Sequence, residues 1–158
     1  MPTQKQYLDQ VQGDWTAAEI SVSYKPGVKF NTPINNPGAA YVLIEFLWDQ
    51  NLIHLQEQFL AIYLNGQTQV IGYRFLNTGN MRTAIIDVRL LVSLALHCMA
   101  ASVIIAHNHP SGVLKPSPKD IALTEQIKKA LETIQVTLND HLIIIAGGWL
   151  SMGNEGLL

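Results

Sequence analysis

Two histidines and an aspartate stand close together in the stretch that runs from Ser102 to Asp120, and between them they could hold a metal ion. His107 and His109 are two positions apart in what reads as extended chain, so their side chains leave the same face. At about 3.3 Å rise per residue their Cβ atoms lie roughly 6–7 Å apart, close enough for both imidazoles to turn onto one ion. Asp120 follows eleven positions after His109, across a segment with three prolines and Gly112 that can turn sharply. Two histidines and one carboxylate make a catalytic type of zinc ligand set, because three protein ligands leave a fourth position for water. Zinc lowers the ionisation of that water to about pH 7, which makes a hydroxide nucleophile. Such a site also needs a general base beside the metal. Glu57 is the candidate, since it opens an apolar strand where an acid is out of character.

The same residues have plainer readings. A pair of histidines at a strand end is commonly structural or solvent-exposed. Ser117-Pro118-Lys119-Asp120 fits a helix N-cap, proline at the first helical position, and a capping-box acid. The cap and the ligand role are compatible. Glu57 alone could be an exposed charge at a strand end.

The elements that must position these groups follow from patterning. Asn36-Pro37 reads as N-cap and first helical residue, with a helix over Ala39–Trp48 whose Tyr41, Ile44, Leu47 and Trp48 face the core. Gln56 to Leu64 reads as a strand, Asn65-Gly66 as a hairpin turn, and Gln69 to Leu76 as the returning strand. Asp87 to Met99 is a helix with its acid at the favourable end of the dipole. Ser102 to Ala106 is short and apolar, the mark of a central strand covered on both faces. Ser117 to Ile134 is an amphipathic helix with Ile121, Thr124, Ile127, Ala130, Leu131 and Ile134 on one side, and His141 to Ala146 is a last strand. Trp149 to Leu158 could add a short edge strand. In the first third, a short helix near Gln6–Gln12, a strand over Glu19–Tyr24, and loops at Pro26-Gly27 and Asn31–Gly38 are expected; Asn77–Asn80 reads as another loop. Strands alternate with helices and one pair is a hairpin, so the class is α/β with a mixed sheet.

The length of 158 residues suits one domain, with residues 1–35 an N-terminal extension and 36–158 the metal-binding domain. A hydrophobic fraction of 48% with 14% charged residues excludes a disordered chain, and fits either deep burial or an apolar surface covered in a homodimer. The net charge is −2 without a basic run, which argues against direct nucleic-acid binding. Cys98 is the single cysteine, so an internal disulfide and Cys-rich zinc modules are excluded; among apolar residues it reads as a core thiol. Met1 to Val11 lacks an apolar signal core, and no run approaches the ~20 residues of a membrane span. No membrane partner and a cytoplasmic location are expected. His54 and His97 read as loop and helix-surface residues, and Asp140-His141 as a turn leading into a strand. Trp15, Trp48 and Trp149 read as packing residues.

The string AHNHPSG…PSPKDIALT, with QEQF upstream and DHLII downstream, resembles the JAB domain of the RadC family, and more broadly the JAMM (MPN/JAB) metalloprotease signature. The resemblance covers roughly residues 50–158. It implies an MPN-type fold akin to the cytidine deaminases, a curved mixed sheet flanked by helices. It implies zinc held by His107, His109 and Asp120, with Glu57 polarising the water and protonating the leaving amine, and Ser117 stabilising the oxyanion. The implied activity is hydrolysis of a peptide or isopeptide bond; the alternative is a non-catalytic accessory module in DNA repair, recombination or mobile-element biology. The chain departs from the family pattern in three places. Residues 1–40 show no helix-hairpin-helix, Glu57-Gln58-Phe59 stands where E-H-F is usual, and Asn80 to Asp87 differs from the usual S-x-V-H-P-type segment. Other metal and nucleotide motifs are absent: the deaminase pattern needs H-x-E with P-C-x-x-C, and neither HExxH nor GxxxxGK[ST] occurs.

Overall fold

The computed structural model describes residues 32–76 and 86–158, together with Thr3, Ser23 and Tyr24. The expectations for Gln6–Gln12, Pro26-Gly27 and Asn77–Asn80, and most of that for Glu19–Tyr24, lie outside these residues. Among the described residues, three helices and five strands follow in the order α1 (Pro37–Leu47), β1 (Phe59–Leu64), β2 (Val70–Phe75), α2 (Val88–His97), β3 (Ser102–Asn108), α3 (Pro118–Glu132), β4 (Thr137–Ile145) and β5 (Gly148–Ser151). The strands form one mixed sheet in the order β2-β1-β3-β4-β5. Only β3 and β4 pair in parallel, and the crossover between them is α3. The expected α/β class with a mixed sheet flanked by helices is therefore what the chain adopts. Among the described residues no helix is long and apolar enough to cross a membrane.

Each helix begins where its side chains cap it. Asn36 accepts a hydrogen bond from the Ala39 N–H at 2.9 Å with Pro37 just inside, and Asp87 accepts from the Arg89 N–H at 2.9 Å. Two cores lie on opposite faces of the sheet. Ala40, Ile44 and Trp48 of the α1 region pack on Leu60, Ile62, Ile104 and Leu142. Leu91 and Ala95 of α2, with Ile127 and Leu131 of α3, pack on Phe59, Ala61, Val103 and Ile105. All seven residues of β3 are buried, as expected of a strand covered on both faces.

Several expectations are corrected in detail. β1 begins at Phe59, so Glu57 precedes the strand instead of opening it. Asn65-Gly66 does open the hairpin turn between β1 and β2. The Asn65 side chain accepts from the N–H groups of Gln67 and Gln69, holding a loop in which Thr68 takes a φ of 58°. On α1 and its C-cap the expected Tyr41, Ile44, Leu47 and Trp48 do face the core, Tyr41 half-buried and stacked on Trp149, and Ala40 and Leu43 join them. Ile121 is exposed, one residue past Asp120. Cys98 is only partly buried. Asp140-His141 is not a turn before a strand but lies in the middle of β4.

The face that His141 takes on β4 is set by a bulge. Where β4 pairs with β3, Val103 faces Leu138 and Ile104 faces Asp140, so Asn139 is an extra residue. A bulge of one residue reverses which side chains face which side of the sheet. Leu138 belongs to the core beneath α2 and α3, and strict alternation from it would turn His141 away. Beyond the bulge, Leu142 and Ile144 join the opposite core, and His141 faces the helices α2 and α3.

Candidate metal centre

β3 ends on the site. Phe59 of β1 pairs with His107 of β3, and the two rings lie stacked at 6.1 Å between centroids. His109 continues the line: its N–H donates to the Ile144 carbonyl at 2.9 Å, and its Nδ1 lies 2.7 Å from the Val113 carbonyl oxygen. The chain between turns through Gly112, whose φ of 75° is left-handed and suits glycine. Its N–H closes the turn on the His109 carbonyl at 3.0 Å.

Asp120 enters from the first turn of α3. Ser117 is the N-cap: its Oγ accepts from the Asp120 N–H at 3.2 Å, while the Ser117 N–H donates to Asp120 Oδ2 at 2.6 Å. The capping box of the sequence is thus present, and it aims the carboxylate at the histidines. Asp120 Oδ1 lies 3.4 Å from His107 Nε2, and Oδ2 lies 3.4 Å from His109 Nε2. The two Nε2 atoms are 2.9 Å apart. The site meets solvent, since His109 and Asp120 keep 15% and 13% of their side-chain exposure while His107 keeps 2%.

This geometry fits a small cation. A carbonyl oxygen only accepts, so the contact with Val113 puts a proton on His109 Nδ1 and leaves Nε2 of the neutral ring as a lone pair. That lone pair, the His107 Nε2 and a carboxylate converge on one point, and the three ligand atoms all lie within 4.8 Å of one another. Tetrahedral zinc, with bonds of about 2.0–2.1 Å, spaces its ligands about 3.3 Å apart. The 2.9 Å pair needs only a small opening, and the carboxylate presents a different oxygen to each histidine at 3.4 Å, so closing on one ion takes a small turn of the Asp120 side chain.

The electrostatics agree. Burial pushes the Asp120 carboxyl up, but the contacts with His107 and His109, the charge of His107 and the Ser117 N–H outweigh it and hold the group well below the usual carboxylate range. The Asp120 contact raises His109 above its ordinary value, against partial burial, and the Val113 carbonyl and the charges of Asp120 and Glu57 add to the rise.

Glu57 reaches this place through its backbone. The Asn108 N–H donates to the Gln58 carbonyl at 3.3 Å, which extends the β1/β3 pairing past Phe59. Glu57 stands two residues before Phe59 on this chain, and its charge adds to the rise at His109. Asn108 secures that approach. Fully buried between the two histidines, it accepts from the Gln58 N–H at 2.7 Å and donates to the carbonyls of Ile53 at 2.8 Å and Gln56 at 2.9 Å. Backbone on both sides of Glu57 is tied to one side chain.

The structure therefore brings together His107, His109 and Asp120, with Ser117 capping the helix beneath the carboxylate and Glu57 near enough for its charge to add to the rise at His109. Two neighbours were not foreseen. One is Asn108, between the two histidines, and the other is His141, fully buried, with its Nε2 2.7 Å from His107 Nδ1. A histidine at the head of the apolar run Leu142–Ile145 was the available signal for the second. His54 and His97 are exposed and distant in role, as expected.

Comparison with known proteins bears on the same stretch. The family description "RadC-like JAB domain" matches residues 34–157. The chain is 34% identical over 129 residues to the UPF0758 protein YkfG of Escherichia coli K12, spanning 79% of this chain and 82% of that protein. It is 40% identical over 104 residues to a UPF0758 protein of Porphyromonas gingivalis, and 42% identical over 89 residues to one of Streptococcus suis. Those matches cover 65% and 56% of this chain, but only 46% and 36% of the two relatives, so the chain spans less than half of their length.

Proposed function

The chain belongs to the RadC-like JAB domain family, and from that membership and the geometry of its site we propose that it is a zinc-dependent hydrolase of peptide or isopeptide bonds. The observation that carries the reading is the convergence of His107 Nε2, His109 Nε2 and the Asp120 carboxylate on one solvent-facing point. Three protein ligands, one of them anionic, favour a divalent cation and leave room for a water.

Zinc held there would supply Lewis acidity, lowering the pKa of a bound water to about 7 and polarising the substrate carbonyl. His107, His109 and Asp120 would hold it. Glu57 takes a proton from the attacking water and returns it to the leaving nitrogen, which lets an amine depart instead of an amide anion. Ser117, whose Oγ already accepts from the Asp120 N–H, keeps a hydroxyl proton to donate to the developing oxyanion. The solvent-facing edge of the site suits an extended peptide or a side-chain amide. His109 and Asp120 are the ligands nearest solvent.

Titration of zinc against a chelator across pH tests this reading. Zinc needs neutral imidazole, so a proton competes with it. Because His109 is raised above its ordinary value, the loss of affinity is expected to begin above pH 6.5, and to reach about tenfold per pH unit for each proton displaced. Asp120, held low, stays ionised throughout and adds nothing to the slope. In metal-free protein the sign reverses: the raised His109 contributes stability below its unfolded value near 6.5, and this fades as pH rises through the higher folded value. A zinc affinity that stays flat from pH 8 to pH 5 would rule out histidine ligation.

A further inference from the structure

We propose that Thr124 and His141 are positioning residues that fix the tautomer of His107, so that its Nε2 lone pair is the one presented to the metal. The inference rests on the metal reading above and explains how this chain prepares one ligand for it.

The direction of each hydrogen bond follows from a group that can only accept. Thr124 Oγ1 lies 2.6 Å from the Asp120 carbonyl oxygen, one turn back along α3, and must donate its single proton there. Met152 Sδ, at 3.6 Å, is a much weaker acceptor and does not compete for it. With its proton spent, Thr124 Oγ1 can only accept from His141 Nδ1, which lies 2.6 Å away. His141 is fully buried, and a ring in that setting is neutral, so a proton on Nδ1 leaves a lone pair on Nε2. That lone pair, 2.7 Å from His107 Nδ1, accepts the His107 proton. His107 Nε2 is then a lone pair aimed at Asp120 and His109.

The relay closes on itself. It starts at the backbone of one ligand, Asp120, and ends at the ring of another, His107, crossing from α3 to β4 to β3. His109 is locked by a separate device, the Val113 carbonyl. Both imidazoles are thereby held with Nε2 bare. Were His141 protonated on Nε2 instead, it would donate to His107 Nδ1 and move the His107 proton to the metal-facing nitrogen. Phe59 keeps the planes in place, its ring 6.1 Å from His107 and 5.6 Å from His141. The bulge at Asn139 is what turns His141 to this face.

The experiment compares wild type, T124S and T124V by long-range nitrogen-15 correlation of the histidine rings in metal-free protein, and by chelator competition for zinc. Wild type and T124S should show His141 protonated on Nδ1, and should bind zinc within a few-fold of each other. T124V has nearly the same shape but neither donates nor accepts. It should shift the His141 proton towards Nε2 and weaken zinc by roughly 10–100-fold, the range usual for partners of metal-bound histidines. Wild-type His141 protonated on Nε2 would overturn the proposal, as would a T124V protein with unchanged tautomer and zinc affinity. Wild type with the expected tautomer but no affinity for zinc would support the relay and overturn the metal reading of the preceding section.

Discussion

Glu57→Gln is expected to lower amide hydrolysis by about 10²–10⁴-fold while leaving zinc content unchanged. The two halves of that result come from one placement. Glu57 stands two residues before Phe59 on the chain that pairs with β3, and its charge reaches His109. It is not among the three groups whose ligand atoms converge, so its loss leaves the ion's protein donors intact. Glutamine keeps the size and the polarity of the side chain but cannot carry a proton from water to a leaving nitrogen. Asn108 holds the backbone on both sides through Gln58, Gln56 and Ile53, so the substituted side chain should remain in place. Zinc measured per chain and turnover of a peptide or isopeptide substrate separate the outcomes. Full turnover by the variant would remove Glu57 from the mechanism; loss of zinc would make it a ligand instead.

Asp120→Asn carries the second large effect, a fall in zinc affinity of more than about 100-fold, beyond that of losing a group that merely supports a ligand. The carboxylate is the one anionic member of the set, and asparagine removes the charge while keeping an oxygen that can accept from the Ser117 N–H. The N-cap from Ser117 Oγ to the backbone N–H of residue 120 is unaffected. The helix start should survive, and with it most of the stability; replacing a capping side chain by alanine would by contrast add about 1 kcal/mol of helix destabilisation. In the metal-free variant His109 should also lose its largest upward influence and titrate lower. Chelator competition measures the first effect, and a histidine proton titration the second. An asparagine variant that binds zinc as well as wild type would mean that the carboxylate is only a cap.

Much of the site was legible because short-range rules determine it. The spacing of His107 and His109 places both on one face of an extended chain, and β3 continues through Asn108 just far enough to make that hold for His107. Asn36-Pro37, Asp87 and Ser117-Pro118 mark helix starts by chemistry that acts within three residues. What was not legible depends on pairing between distant segments. Alternation counted from Leu138 puts His141 on the wrong face, because the bulge at Asn139 exists only against β3. Asn108 has no local signature at all, since its partners are the backbone groups of Ile53, Gln56 and Gln58, about fifty positions away. Tyr41 and Ile121 fit an apolar helical stripe yet stay partly exposed, for periodicity gives a face but not the width of what covers it. Glu57 comes just before β1, and the pairing of β1 with β3 brings that stretch of chain alongside His107.

Zinc counted per chain in wild-type protein purified without added metal tests the central claim most directly. The account predicts close to one zinc per chain, removable by a strong chelator and restored on titration. Protein that carries well under one zinc and fails to take it up at pH 8 would contradict it.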